Sequence, residues 1–124
     1  MIIYRVETET GRGPYNGGPA SQYDYTPRHE APEPYSDVGL SDAWKAIDLS
    51  KQKKFYFGFA NPAQLLEWFH SDNFHAKAEA QGYRVSVIET GHGEVFHGTY
   101  QSIFERSKSV VTQRLTFSQI KQLA

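Results

Sequence analysis

The chain has no cysteine among its 124 residues. That excludes a disulfide framework, a thiol nucleophile and a cysteine-based zinc site. It has no excess of positive charge either: 13 Lys and Arg stand against 14 Asp and Glu, a formal charge of −1. Non-specific nucleic-acid binding draws on such an excess, so nucleic acid is not an expected partner. No apolar run is long enough to span a membrane, and the opening MIIYRVE has only two aliphatics before Tyr4 and Arg5. Neither a membrane span nor a signal peptide is therefore expected, and the expected compartment is the cytosol. The length suits a single domain over residues 1–124.

Recognisable catalytic signatures are missing too. GRGPYNGG at 11–18 has neither the G-x-x-x-x-G-K-[ST] nor the G-x-G-x-x-G spacing, so it reads as turn chemistry. No G-x-S-x-G context surrounds a serine. Of the five histidines (His29, His70, His75, His92 and His97), His70 and His75 are five apart and fall on different helix faces. None has a partner at a metal-ligand spacing, and no metal site is expected.

Aromatic residues, at 15 % of the chain, are plentiful. Their densest stretch, FYFGFANPAQLLEWF at 55–69, organises the rest. Phe55, Tyr56, Phe57 and Phe59 suit a pleated, packed strand. Gly58 inside it marks a bulge or the close approach of another backbone or a ligand. Asn61 has N-cap chemistry, Pro62 suits the first helical position, and Gln64 stands at a capping-box spacing. Leu65, Leu66, Trp68 and Phe69 then form an apolar helix face, which predicts the main helix at 62–71. Free amides at such a junction can hold an anion, although β-α junctions also simply build cores.

Ile2 to Thr8 reads as the first strand, with Ile2, Tyr4 and Val6 on one face and Ile3, Arg5 and Glu7 on the other. The plain reading of Arg5 is a surface ion pair with Glu7. A long loop at 11–42 follows, holding five of the six prolines and threaded by Tyr15, Tyr23, Tyr25 and Tyr35. It is expected to lie over the core and wall a cleft. Ser41 predicts a capped helix over 42–49, and Ser50 to Lys54 a polar connection. Ser71 to Asn73 can cap a helix over 74–81, ended by Gly82 at the C′ position. The clean alternation of YRVSVIE at 83–89, the turn signal Thr90-Gly-His-Gly and a strand over 94–104 predict a hairpin, with Gly98 as a bulge or break. Ser109 to Thr116 is a further strand, and Thr116 or Ser118 caps a last helix through Leu123. Glu89, Glu94 and Glu105 fall on the predicted hairpin strands, where a carboxylate can act as acid, base or oxocarbenium stabiliser. Alternation places Gln101, Ile103 and Glu105 on one face.

Three stretches together resemble ADP-ribosyltransferase-like domains: IIYRVE, FYFGFANPAQLLEWF and YQSIFERSKSVVTQRL. In that superfamily an early strand carries an arginine or histidine that grips NAD, a serine-containing middle strand enters a helix, and a late strand carries the catalytic glutamate. The resemblance implies NAD as the cofactor and Arg5 as its grip. Two departures bear on activity: Gly58, Phe59 and Ala60 replace the serines, and Gln101 stands where the glutamate belongs. A glutamine cannot supply the negative charge that stabilises an oxocarbenium-like transition state. The chain also resembles small phage and prophage proteins, through YRVE followed by G-x-G-P-Y and through FGF followed by QLLEWF.

The expected fold is α+β, with a mostly antiparallel sheet and two to four short helices. Arg5, Tyr15, Phe57, Gly58 and Asn61 are the expected ligand-binding residues, and Glu105 and Gln101 the catalytic candidates. Three functions fit. The first is a phage accessory or counter-defence protein that acts by binding a host protein. The second is an active NAD-dependent transferase using Arg5 with Glu105 or Gln101. The third is a stoichiometric inhibitor with a tyrosine-rich contact surface.

Overall fold

The computed structural model describes residues 1–14, 40–52, 54–91 and 95–124. In chain order these form β1 (Ile2–Glu7), α1 (Ser41–Ala46), α2 (Leu49–Gln52), β2 (Phe55–Gly58), α3 (Pro62–Trp68), α4 (Asp72–Ala80) and β3 (Arg84–Glu89). Then come β4 (Val95–His97), β5 (Ser102–Glu105), a 3-10 turn at Arg106–Lys108, β6 (Val110–Leu115) and α5 (Phe117–Leu123). The fold is α+β. Its strands form two antiparallel three-stranded sheets, ordered β1-β3-β6 and β2-β5-β4. One bridge joins them: the Tyr4 amide donates to the Phe59 carbonyl and the Phe59 amide to the Tyr4 carbonyl, both at 2.8 Å.

Gly58 stands beside that bridge for a steric reason. A Cβ there would lie 2.3 Å from Ile3 Cγ2 and 3.1 Å from the Tyr4 carbonyl oxygen. Any side chain would push the sheets apart, so the expected close backbone approach is what the glycine provides.

The apolar residues separate into three groups. On one face of the first sheet, Val6, Tyr83 and Val85 pack with Phe59 against Leu65, Trp68 and Phe69 from α3 and its end, Phe74 and Ala78 of α4, and Phe117 and Ile120 of α5. Between the sheets, Ile3 and Ile88 meet Phe104. On the far side of the second sheet, Phe55 and Ile103 pack against Leu40, with Trp44 and Ile47 alongside. Each large side chain buried this way contributes about 1.5–3 kcal/mol. The helical layer alone buries six aromatic rings: Phe59, Trp68, Phe69, Phe74, Tyr83 and Phe117.

Local capping follows the sequence closely. The Asn61 side chain accepts from the Gln64 amide at 2.8 Å with Pro62 in the first turn, while Gln64 Oε1 accepts from the Ala60 amide at 3.0 Å, one residue earlier than a capping box requires. Ser71 caps α4 through the Phe74 amide, Gly82 ends it at φ +86°, and Thr116 and Gln119 form a complete capping box on α5.

Three expectations are corrected. The main helix stops at Trp68 rather than residue 71, because Phe69 leaves helical geometry at φ −104°, ψ 74°. The helix expected over 42–49 ends at Ala46, because Ile47 is extended, and Ser41 lies inside it without capping it; a second helix, Leu49–Gln52, stands where Ser50 to Lys54 were expected to form only a polar connection. Gln52 Nε2 donates to the Trp44 carbonyl at 3.1 Å and the Ile47 carbonyl at 3.3 Å, which ties α2 back onto the end of α1. The extra helix makes five α-helices among the described residues, against at most four expected. Finally, the strand over 83–89 makes no hairpin with the strand after it. β3 pairs with β1 and β6, and the hairpin is β4–β5, closed where the Gly98 amide donates to the Gln101 carbonyl at 2.7 Å.

One buried ionisable group ties α4 to α5. The His75 ring stacks on Phe117 at 4.1 Å, and its Nε2 donates to the Phe69 carbonyl at 2.5 Å. Its Nδ1 lies 3.7 Å from Asp72, which is itself bridged to Lys121 at 2.8 Å. Burial pulls the imidazole below its ordinary value of 6.5; the Phe69 carbonyl, Asp72 and Glu79 oppose that shift, and Lys121 adds to it. The unfolded chain therefore takes up this proton before the folded one, and the stability it confers is present above about pH 6.5 and lost as pH falls below it. Denaturation of wild type and His75→Phe between pH 7.5 and 5.5 is expected to show wild type losing stability relative to the variant on acidification. Parallel curves contradict the assignment.

Candidate functional site

β1 presents Ile3, Arg5 and Glu7 to the side facing the second sheet, and Glu7 ends there only 1 % exposed. A buried carboxylate survives only when paired and fully hydrogen-bonded. Here each oxygen accepts twice. Oε1 takes Arg5 Nε at 2.9 Å and Arg106 Nε at 3.3 Å; Oε2 takes Arg106 Nη2 and Ser86 Oγ, both at 2.9 Å. That fills the acceptor capacity of the group.

Arg5 is buried as well, and its remaining nitrogens also donate inward. Nη1 donates to the Phe57 carbonyl at 2.8 Å and Nη2 to the Gly11 carbonyl at 3.5 Å, while the guanidinium lies 4.9 Å over the Tyr56 ring. Burial lowers the Arg5 pKa, and Glu7 opposes the shift. The Arg5–Glu7 pair anticipated at the surface is thus a buried one. A turn closes over it: the Gly11 amide donates to the Thr8 carbonyl, Gly11 takes φ +90°, and the Tyr83 hydroxyl donates to the Gly13 carbonyl at 3.0 Å. Gly13 passes so close that a Cβ would sit 2.8 Å from Arg5 Nη2.

Cross-strand register adds two more arginines. Arg5, Ser86 and Arg114 form one row across the first sheet, and Glu7 stands opposite Arg84. Arg114 Nη2 reaches the Glu7 carbonyl at 3.3 Å and the Gly82 carbonyl at 3.4 Å. Arg84 Nη1 donates to the Glu79 and Tyr83 carbonyls at 3.2 and 2.7 Å. Two guanidiniums thus hold the Glu7 carboxylate, and two more stand beside it on backbone carbonyls.

Of the expected ligand-binding residues, Arg5, Phe57 and Gly58 come together, through the Arg5–Phe57 bond and the Tyr4–Phe59 bridge. Asn61 is occupied as the α3 cap, and Tyr15 lies outside the described residues. Gln101 and Glu105 lie elsewhere. Phe55↔Glu105 pairing puts Glu105 on the face of the second sheet that packs on Leu40 and α1, whereas Arg5 covers Tyr56 on the opposite face; Gln101 lies in the turn before β5. Gln101 is buried, and Glu105 lies 3.6 Å from Lys108. Glu89 pairs with the Met1 amino group at 2.6 Å, and Glu94 lies outside the described residues, as does most of the 11–42 loop.

A family model for the bacteriophage T4 Y00F protein matches residues 1–118. The chain belongs to the bacteriophage T4 Y00F protein family. The resemblance to small phage proteins is thereby borne out. No curated protein and no solved structure matches the chain. No helix among the described residues of this Y00F-family protein is long and apolar enough to cross a membrane.

Sequence reasoning missed Ser86, Arg106 and Arg114 in the Y00F-family cluster. The one local signal was two charges two residues apart on a strand otherwise apolar, a pattern that asks for distant partners. Replacing Glu7 by Ala leaves the buried Arg5 and the half-buried Arg106 guanidiniums without their counter-charge and is expected to cost about 3–5 kcal/mol in chemical denaturation. Exposed Glu67→Ala is expected to stay within about 0.5 kcal/mol. Equal, small losses contradict the cluster's structural weight.

Proposed function

We propose that this Y00F-family protein is a phage accessory protein that acts by binding a host protein, on an ADP-ribosyltransferase-like scaffold that no longer transfers ADP-ribose. The scaffold reading is supported by adjacency. Of the three stretches that carry the resemblance, the first forms β1, the second β2 and α3, and the third β5 and β6; β1 is bridged to the end of β2, and β2 is paired with β5.

The observation that carries the loss of transfer is the state of Arg5. A cation that grips a dinucleotide must aim donors at it, yet Arg5 is only 7 % exposed and directs Nε to Glu7, Nη1 to Phe57 and Nη2 to Gly11. The neutral Gln101 adds no oxocarbenium-stabilising charge, and Glu105 lies on the other face of the second sheet beside Lys108. What remains is a small domain whose action is recognition. A counter-defence role, in which the protein occupies a host factor, fits a phage family of this size.

Two measurements test this together. Calorimetric titration with NAD and with ADP-ribose is expected to give no binding heat, and size-exclusion chromatography with host extract is expected to yield a stoichiometric complex with one host protein. Saturable micromolar heat with NAD, or labelled ADP-ribose appearing on a host protein, contradicts the proposal.

A further inference from the structure

Four of the chain's six arginines (Arg5, Arg84, Arg106 and Arg114) meet on one end of the first sheet, although the whole chain carries a charge of −1. Arg5 and Arg106 hold the Glu7 carboxylate, whose acceptor capacity is already filled. The nearby Glu79 carboxylate is engaged by the Phe117 amide at 2.8 Å. Four guanidiniums stand against the Glu7 and Glu79 carboxylates, so these groups together keep a surplus of positive charge. Arg114 is exposed, and Arg84 and Arg106 are half-buried. Arg114 also lies on β6, at the outer edge of the sheet, where the adjacent Thr112 and Gln113 are exposed as well.

We infer that this arginine surface is where the host partner docks, and that the partner presents a segment rich in aspartate and glutamate. The inference rests on the protein-binding reading above and names the chemistry of its partner. Three observations select carboxylates. The guanidinium fork matches a carboxylate in two parallel hydrogen bonds, which a lysine ammonium cannot do. The cluster already holds one such group in that manner, with Arg106 donating from both Nε and Nη2 to Glu7. A long polyanion would have to lie along a chain with 14 acidic residues, and the limited extent of the patch suits a short acidic segment. Complementary charge of this kind speeds encounter and fixes register, so the interaction weakens as salt rises.

The surface is separable from the fold because Arg84 and Arg114 donate to backbone carbonyls and not to the Glu7 carboxylate. Fluorescence anisotropy with labelled hexaglutamate, at low ionic strength, reads it directly. Wild type is expected to bind, and R84E/R114E to bind about tenfold more weakly or worse. K45E/K51E, which changes net charge equally at exposed positions on α1 and α2, is expected to bind as wild type does. If the reversed pair does not fold, R84Q/R114Q carries the same expectation of weakened binding. No binding of hexaglutamate by wild type, equal loss in both reversed pairs, or tighter binding of a single-stranded oligothymidylate than of hexaglutamate each overturns the inference. Retention of the host complex by R84E/R114E also overturns it while leaving the host-binding proposal standing. Absence of any host complex from wild type removes that proposal instead.

Discussion

The Glu7 carboxylate is the constraint on which the rest of the structure depends. It sits where two sheets close on each other, removed from water, and it accepts from β1 itself, from β3 and from the turn after β5. A buried ion in this position tolerates one arrangement of its neighbours. Sliding β1 by one residue against β3 would turn Glu7 toward the helical layer, among Val85, Phe74 and Phe117, and away from Ser86 and Arg106. The carboxylate therefore selects register as well as contributing pairing energy. Arg5 follows as a consequence: its Nε is fixed by Glu7, so its other nitrogens fall on the Phe57 and Gly11 carbonyls.

The central stretch works on the other side of the same junction. β2 is held against β1 by the bridge at Phe59, and Gly58 keeps that approach open. One residue later the chain leaves for α3, whose Leu65 and Trp68 join the aromatic layer over β1 and β3. The run from Phe55 to Trp68 thus contributes to the far side of the second sheet, the junction and the helical layer in turn. Function inherits this arrangement. An arginine that the resemblance assigns to a ligand is committed to the frame, and the polar end of the first sheet is left to face outward.

What was legible in the sequence is what local chemistry decides. Asn61 with Pro62, Ser71, Gly82 and Thr116 with Gln119 each satisfy or release backbone groups within a few residues, so the caps emerge from spacing alone. Strand pairing is decided by partners far away. Thr90-Gly-His-Gly carries good turn chemistry, but β3 is drawn to β1 and β6 because its two faces fill the helical layer and the space between the sheets. The two-helix form of 41–52 depends on Gln52 folding back on Trp44 and Ile47, a long-side-chain choice that periodicity does not register. In the site, Arg5, Phe57 and Gly58 were legible because strand and junction patterns place them. Arg106, lying 99 positions from Glu7, was not, since only the closed fold brings it there.

The most direct test of this account is a double-mutant cycle between Glu7→Gln and Arg106→Gln, read by equilibrium unfolding. If the carboxylate joins the first sheet to the turn after β5 through Arg106, the two changes couple by about 1–3 kcal/mol. If they add to within about 0.3–0.5 kcal/mol, the junction is held by apolar packing alone and the account is wrong.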